Sequence, residues 1–279
     1  MSVLKQVPRW ILNVILLLIF FVPFYWMALT SIKSLSETMQ FPPSFLVLSA
    51  QWSNFVQVFQ EVDFLHYLKN SCIITAAIMI AQFATSIPAA YAFARYKFRG
   101  RQVFFGAVLA TMMVPAQLIF VPIFLLLSHL GLINTYWSLI LPQATSAFGI
   151  FMLRQAFMQV PEEILEAARM DRASEFAIIR KIMLPMAGPS LAMLALVTFI
   201  GAWNDYFWPL ILTTNETVRT LPVGITMLRN VESGVAYNVV MAGNLLMLLP
   251  ILIVYLLAQK QIIKAFSYEE RAKQKFCEI

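Results

Sequence analysis

Few side chains in this sequence could carry out acid–base, nucleophilic or metal chemistry, and they lie far apart. The histidines, His66 and His129, have no Cys or carboxylate at a metal-ligand spacing. The two cysteines, Cys72 in an apolar run and Cys277 in a basic tail, give neither a disulfide framework nor a metal motif. A Gly-x-x-x-x-Gly-Lys-Ser/Thr phosphate loop does not occur, so hydrolysis of ATP by that route is excluded. No residue is assigned a catalytic or metal-binding role, and no cofactor is expected on this chain. The remaining chemistry is recognition and charge pairing. It concentrates in one charged loop, Pro161–Pro185, and in polar residues inside apolar stretches: Gln82, Gln117, Gln143, Asn204, Asp205, Asn238 and Asn244.

The elements that position these residues are membrane helices. The 279 residues are 60% hydrophobic and 12% charged, with mean hydropathy +0.75, about half the charge of a soluble domain. Crossing the hydrocarbon takes about 20 apolar residues. Uncharged stretches meet this at 10–32, 70–94, 182–204 and 233–259, and 102–153 holds two more, divided at 128–138. The first stretch follows Lys5 and Arg9 but exceeds a signal-peptide core, so it reads as a span. The expectation is an all-α integral membrane protein of six transmembrane helices. Its domains are 1–65 (first helix and outer loop), 66–265 (a five-helix core) and 266–279 (a tail).

Sixteen of the twenty Lys and Arg fall on one side of that topology, leaving Lys33, Lys69, Arg219 and Arg229 for the other. The positive-inside rule puts both termini in the cytoplasm, and the clustering between apolar runs argues against a nucleic-acid partner. Prolines interrupt four spans: Pro23, Pro88, Pro115 with Pro122, and Pro250. Such breaks are tolerated in membranes where neighbours satisfy the freed carbonyls.

The loop Pro161–Pro185 reads as a helical hairpin. Pro161 suits a first helical position, with Glu162 and Glu163 at the positive end of the dipole. Ile164, Leu165 and Ala168 share one face, and Glu166 lies three residues before Arg169, close enough to pair. Asp171 and Ser174 are cap candidates before a second helix, on which Phe176, Ile179, Ile182 and Met183 recur at helical spacing. Span five ends in Trp203-Asn204-Asp205-Tyr206-Phe207-Trp208-Pro209. Two readings of that cluster stay open here: an interfacial aromatic belt, or rings and polar groups that contact a translocated solute. Thr213–Tyr237 reads as a polar, solvated outer loop with Asn215, Glu216, Arg219 and Glu232.

The run Glu166-Ala167-Ala168-x-x-Asp171-x-Ala173, followed by Leu184-Pro185 and Pro189, resembles the EAA loop of ABC importer permeases. Trp203-Asn204-Asp205, Thr220-Leu221-Pro222, Met241-Ala242 and Leu249-Pro250 resemble the carbohydrate branch, in its smaller six-helix subunit of the maltose and glycerol-phosphate type. The similarity covers roughly 65–265. It implies a type-1 importer permease fold and a coupling helix that docks on a cytoplasmic ATPase dimer holding the ATP and Mg. It further implies a second permease subunit, an extracytoplasmic sugar-binding protein and residence in a prokaryotic cytoplasmic membrane.

By resemblance the ATPase-coupling residues are Glu166, Ala167, Ala168, Asp171, Arg172 and Ala173. Candidates for the substrate pathway are Trp203, Asn204, Asp205, Trp208 and Asn244. Two departures stand out. The family usually has Gly where this chain has Arg172, which costs on the order of 1 kcal/mol if the turn needs positive φ. The tail is charged where the family ends in small residues. The alternative class, an ion-coupled secondary transporter, predicts an internal repeat and buried charge pairs, and neither is visible in the sequence.

Overall fold

A computed structural model describes residues 7–229 and 235–277, with side chains described for 10–229 and 235–259. Among them every regular element is helical. Lys5, Glu232 and the last two residues lie outside the described set, as do the side chains of Arg9 and the tail.

Among the described residues, three helices are long and apolar enough to cross a bilayer unaided: residues 10–31 of α1 (Val7–Ser31), α4 (Phe64–Arg95), and residues 237–259 of α15 (Tyr237–Cys277). Pro23, Pro88 and Pro250 sit inside these without breaking them. Between α1 and α4 lie the short helices α2 (Leu35–Thr38) and α3 (Ser53–Glu61).

The other three expected spans are discontinuous. The third is α5 (Arg101–Thr111) and α6 (Phe120–His129), separated at Pro115 by one 3₁₀ turn. The fourth is α7 (Tyr136–Ile140) and α8 (Ala147–Met158), separated by a 3₁₀ turn at Leu141–Gln143 that carries Pro142. The fifth bends by 83° between residues 175–186 and α12 (Gly188–Trp203). Of the prolines expected to interrupt spans, then, Pro115 marks a break, while single prolines elsewhere are absorbed by continuous helices. Two-part spans are stable in lipid only where other groups take up the carbonyls freed at the break.

The chain divides into two compact units, Met1–Leu68 with Leu221–Pro250 and Lys69–Thr220 with Ile251–Ile279. The second unit holds two apolar cores. In one, Ala90 and Tyr91 of α4 meet Leu153 and Phe157 of α8, Leu194 of α12, and Leu165, Ile178 and Met183 of the loop. In the other, Ile74 and Ile78 of α4 meet Leu127, Leu139 and Trp208. A methyl group at Gly149 would stand 3.0 Å from Leu194 and 3.2 Å from the Ser86 hydroxyl, so α8 approaches its neighbours with no room for a side chain.

The segment after span five departs from the expected solvated loop. Residues 214–217 are exposed, but Val218–Thr220 are buried, and so are Leu221–Ile225 of α14 (Leu221–Thr226). In the second unit the fully buried Asn70 holds this stretch. Its Nδ2 donates to the carbonyls of Thr217 and Arg219 at 3.2 and 3.0 Å, and its Oδ1 accepts from the Tyr136 hydroxyl at 2.6 Å.

Candidate coupling hairpin and polar row

The loop folds as the expected hairpin: α9 (Glu162–Met170), then α10 (Glu175–Ile178), which runs through a π-helical turn at Ile179–Met183 into α11 (Leu184–Met186). Pro161 stands at the N-cap rather than inside α9. The Ser174 hydroxyl caps α10 by accepting from the Ala177 N–H at 3.2 Å.

Between the helices the chain closes α9 with a double bond pattern. Arg172 N–H donates to the Arg169 carbonyl and Ala173 N–H to the Ala168 carbonyl, both at 3.0 Å. This satisfies the last carbonyls of the helix and requires a left-handed residue between the two. That residue is Arg172, with φ +56°. The position where the family usually has Gly is therefore one that favours Gly.

The hairpin has two different faces. Leu165, Ile178 and Met183 are fully buried, and Ala168 and Ala173 pack beside them. On the other face Glu163, Glu166 and Ala167 are exposed, as are Met170 at 85% and Phe176 at 72%. Phe176 thus leaves the apolar stripe on which its spacing places it, and Ile164 is only partly covered.

Glu166 does not pair with Arg169. The Arg169 guanidinium instead reaches Glu162 at 3.3 Å and Glu175 at 3.4 Å. Glu175 also accepts from the Tyr91 hydroxyl of α4. Arg95, the last residue of α4, completes the frame. It donates to Glu162 at 2.8 Å, to the Phe157 carbonyl at 2.5 Å and to the Val160 carbonyl. The first acid of the hairpin and the last turn of α8 are thereby tied to one guanidinium. Sequence reasoning counted Arg95 only as a topological charge and passed over Tyr91.

Inside the second unit the polar residues form a row built on the breaks. Where the 3₁₀ turn ends before α8, the carbonyl of Gln143 is taken by Gln82 Nε2 at 3.0 Å. The Thr85 hydroxyl lies 3.0 Å from the Ala144 carbonyl and shares its one proton between it and the Ala81 and Gln82 carbonyls of α4. Gln82 Oε1 accepts from Thr198 at 2.8 Å, and Gln143 Nε2 donates to Asp205 at 2.8 Å. The other Asp205 oxygen caps α13 (Phe207–Leu212), accepting from the N–H groups of Phe207 and Trp208 at 3.1 and 3.3 Å.

The remaining pathway candidates lie elsewhere. Trp203 is buried and stacked on Phe199, with centroids 5.6 Å apart, and Trp208 is buried in the second core. Their indole faces are packing surfaces of this chain. Asn204 is exposed and bonded back to the Ile200 carbonyl, Gln117 is exposed, and Asn244 is half-buried in the other unit.

Residues 84–268 match the family model described as the binding-protein-dependent transport system inner membrane component. The chain belongs to that family. It is an ABC importer permease, an inner-membrane component. It is 35% identical over 231 residues to the arabinooligosaccharides transport system permease protein AraQ of Halalkalibacterium halodurans, covering 82% of this chain and 81% of that one. It is 32% identical over 242 residues to the sn-glycerol-3-phosphate transport system permease protein UgpE of Pectobacterium atrosepticum, covering 84% and 86%.

Among solved structures it superposes with TM-score 0.80 and 28% identity on a chain of a bacterial ABC transporter involved in the import of the acidic polysaccharide alginate. That match covers 93% of this chain and 98% of the other. This permease shares that fold, and the EAA loop is a feature of its family.

Proposed function

We propose that this permease forms one half of a membrane channel that imports a saccharide or polyol, driven by a separate ATPase that docks on the 162–183 hairpin. The carrying observation is the pair of large apolar side chains, Met170 and Phe176, left in solvent beside Glu166 and Ala167. A charged hairpin whose opposite face is fully packed gains nothing from exposing them unless a partner covers them. Ala167 allows close approach, and Glu166 is a carboxylate with no ion-pair partner among the described residues, ready for a basic group.

ATP and Mg belong to the partner ATPase. Closure of its dimer would push on the hairpin, and the frame at Arg95, Glu162, Arg169, Glu175 and Tyr91 would pass that movement to α4 and α8. The channel then opens alternately to each side. The basic-residue distribution supports cytoplasmic termini and hairpin. The relatives named for arabinooligosaccharides and glycerol phosphate support a hydroxyl-rich substrate. The Thr198–Gln82–Gln143–Asp205 row is the stretch of this chain suited to lining its path, and the exposed residues 214–217 suit contact with an extracytoplasmic binding protein.

The test is purification in mild detergent with mass spectrometry of the copurifying chains. A P-loop ATPase and a second permease with its own EAA loop are expected. A homo-oligomer that transports alone in liposomes would overturn the reading.

A further inference from the structure

After α1 ends at Ser31, the chain turns at residues 32–34 into the capping box that opens α2. The turn carries Lys33 into the first unit, where it is 1% exposed. A buried ammonium is costly unless its three donors and its charge are matched. One donor goes to the Ser44 carbonyl at 2.5 Å, and the Trp26 ring faces Nζ with its centroid 4.9 Å away. Among the described residues no carboxylate lies within 4.0 Å of it. Glu37 is turned to other work, its oxygens accepting from the backbone N–H groups of Ser34 and Leu48 at 3.0 and 3.2 Å.

Beside Lys33 lies a cavity of about 130 Å³, lined among others by Trp26, Thr30, Glu37, Thr38 and Tyr237. The space equals about four water molecules. Thr30 is 6% exposed, and its buried hydroxyl has no hydrogen-bond partner. A single χ1 step exchanges that hydroxyl with the methyl group. A cation whose attraction to Glu37 acts only beyond salt-bridge distance, an unpartnered hydroxyl and room for a small tetrahedral or planar group thus occur together.

We propose that this cavity binds an oxyanion, a phosphate or carboxylate group, held by Lys33 and Thr30 against the Trp26 ring. The cavity opens where an apolar helix ends, so a phospholipid headgroup and a free solute are the two sources of the same chemistry.

The test uses the permease purified with its assembly partners in detergent. Inorganic phosphate is titrated at constant ionic strength while thermal unfolding is followed, and native mass spectrometry reports retained phospholipid. Wild type should show either a saturable rise in Tm of about 2 °C or more, which identifies a free oxyanion, or phospholipid retention, which identifies a headgroup. Lys33→Met should abolish whichever is seen. Thr30→Val, which keeps the lysine and the side-chain shape, should weaken it about tenfold. It keeps the test decisive if Lys33→Met fails to assemble. Absence of both signals in wild type, or a Thr30→Val response equal to wild type, overturns the proposal.

Discussion

Arg95, the last residue of α4, holds Glu162, the first residue of α9, at 2.8 Å, and the same guanidinium closes the final turn of α8 through the Phe157 and Val160 carbonyls. Its side chain is 8% exposed. Arg95→Met would leave the Val160 carbonyl without its donor and the Phe157 carbonyl with backbone donors only, a loss of about 1–3 kcal/mol local to the hairpin. Limited proteolysis of the purified complex should cut near 158–175 faster than in wild type, and ATP-driven uptake should fall. Arg95→Lys, lacking the planar fork, should recover only part of both. Wild-type protease resistance and uptake in Arg95→Met would show that this frame does not matter.

Arg172 occupies a left-handed turn that glycine enters without strain. Arg172→Gly should stabilise the end of α9 by about 1 kcal/mol. Slower amide exchange over 168–176 is the expected readout. Unchanged or faster exchange would mean that the arginine makes compensating contacts.

Glu166 is exposed and outside every ion pair of the hairpin, so its replacement leaves the frame intact. Glu166→Arg should therefore preserve folding of the chain while uncoupling ATP hydrolysis from uptake or preventing ATPase assembly. Wild-type transport with this substitution would remove the hairpin from the coupling role.

Gln82 serves the Gln143 carbonyl and the Thr198 hydroxyl together. Gln82→Met keeps the volume but strands both partners in an apolar setting, at a cost of about 1–2 kcal/mol. A Tm lower by several degrees is expected for the purified complex. No change in Tm would mean that water replaces the glutamine, and that the row is wetter than its bonding suggests.

Leu165 anchors α9 from the buried side. Leu165→Ala should destabilise the hairpin by about 2–5 kcal/mol, the range for cavities in packed cores. Accelerated exchange confined to 162–183 is the signature; global unfolding at the same temperature as wild type, with no local change, would contradict it.

The sequence by itself determined that the chain is helical and lies in a membrane, because hydropathy over about 20 residues reports directly on the solvent each segment needs. It also placed the hairpin, since the acid-rich start at Glu162, the cap at Ser174 and the buried Leu165 are all local in sequence. Which spans break was decided by tertiary structure. Pro23, Pro88 and Pro250 stay within continuous helices, whereas the turn at Leu141–Gln143 exists with Gln82 placed to donate to its last carbonyl. Charge partners were likewise beyond one-dimensional reading. Spacing offered Arg169 to Glu166, but packing of α4 against the hairpin brought Glu162 and Glu175 to Arg169, and Arg95 to Glu162. The burial of Lys33, of 218–220 and of the two indoles follows the same rule: a side chain's surroundings are set by helices distant in sequence, whose approach periodicity does not encode.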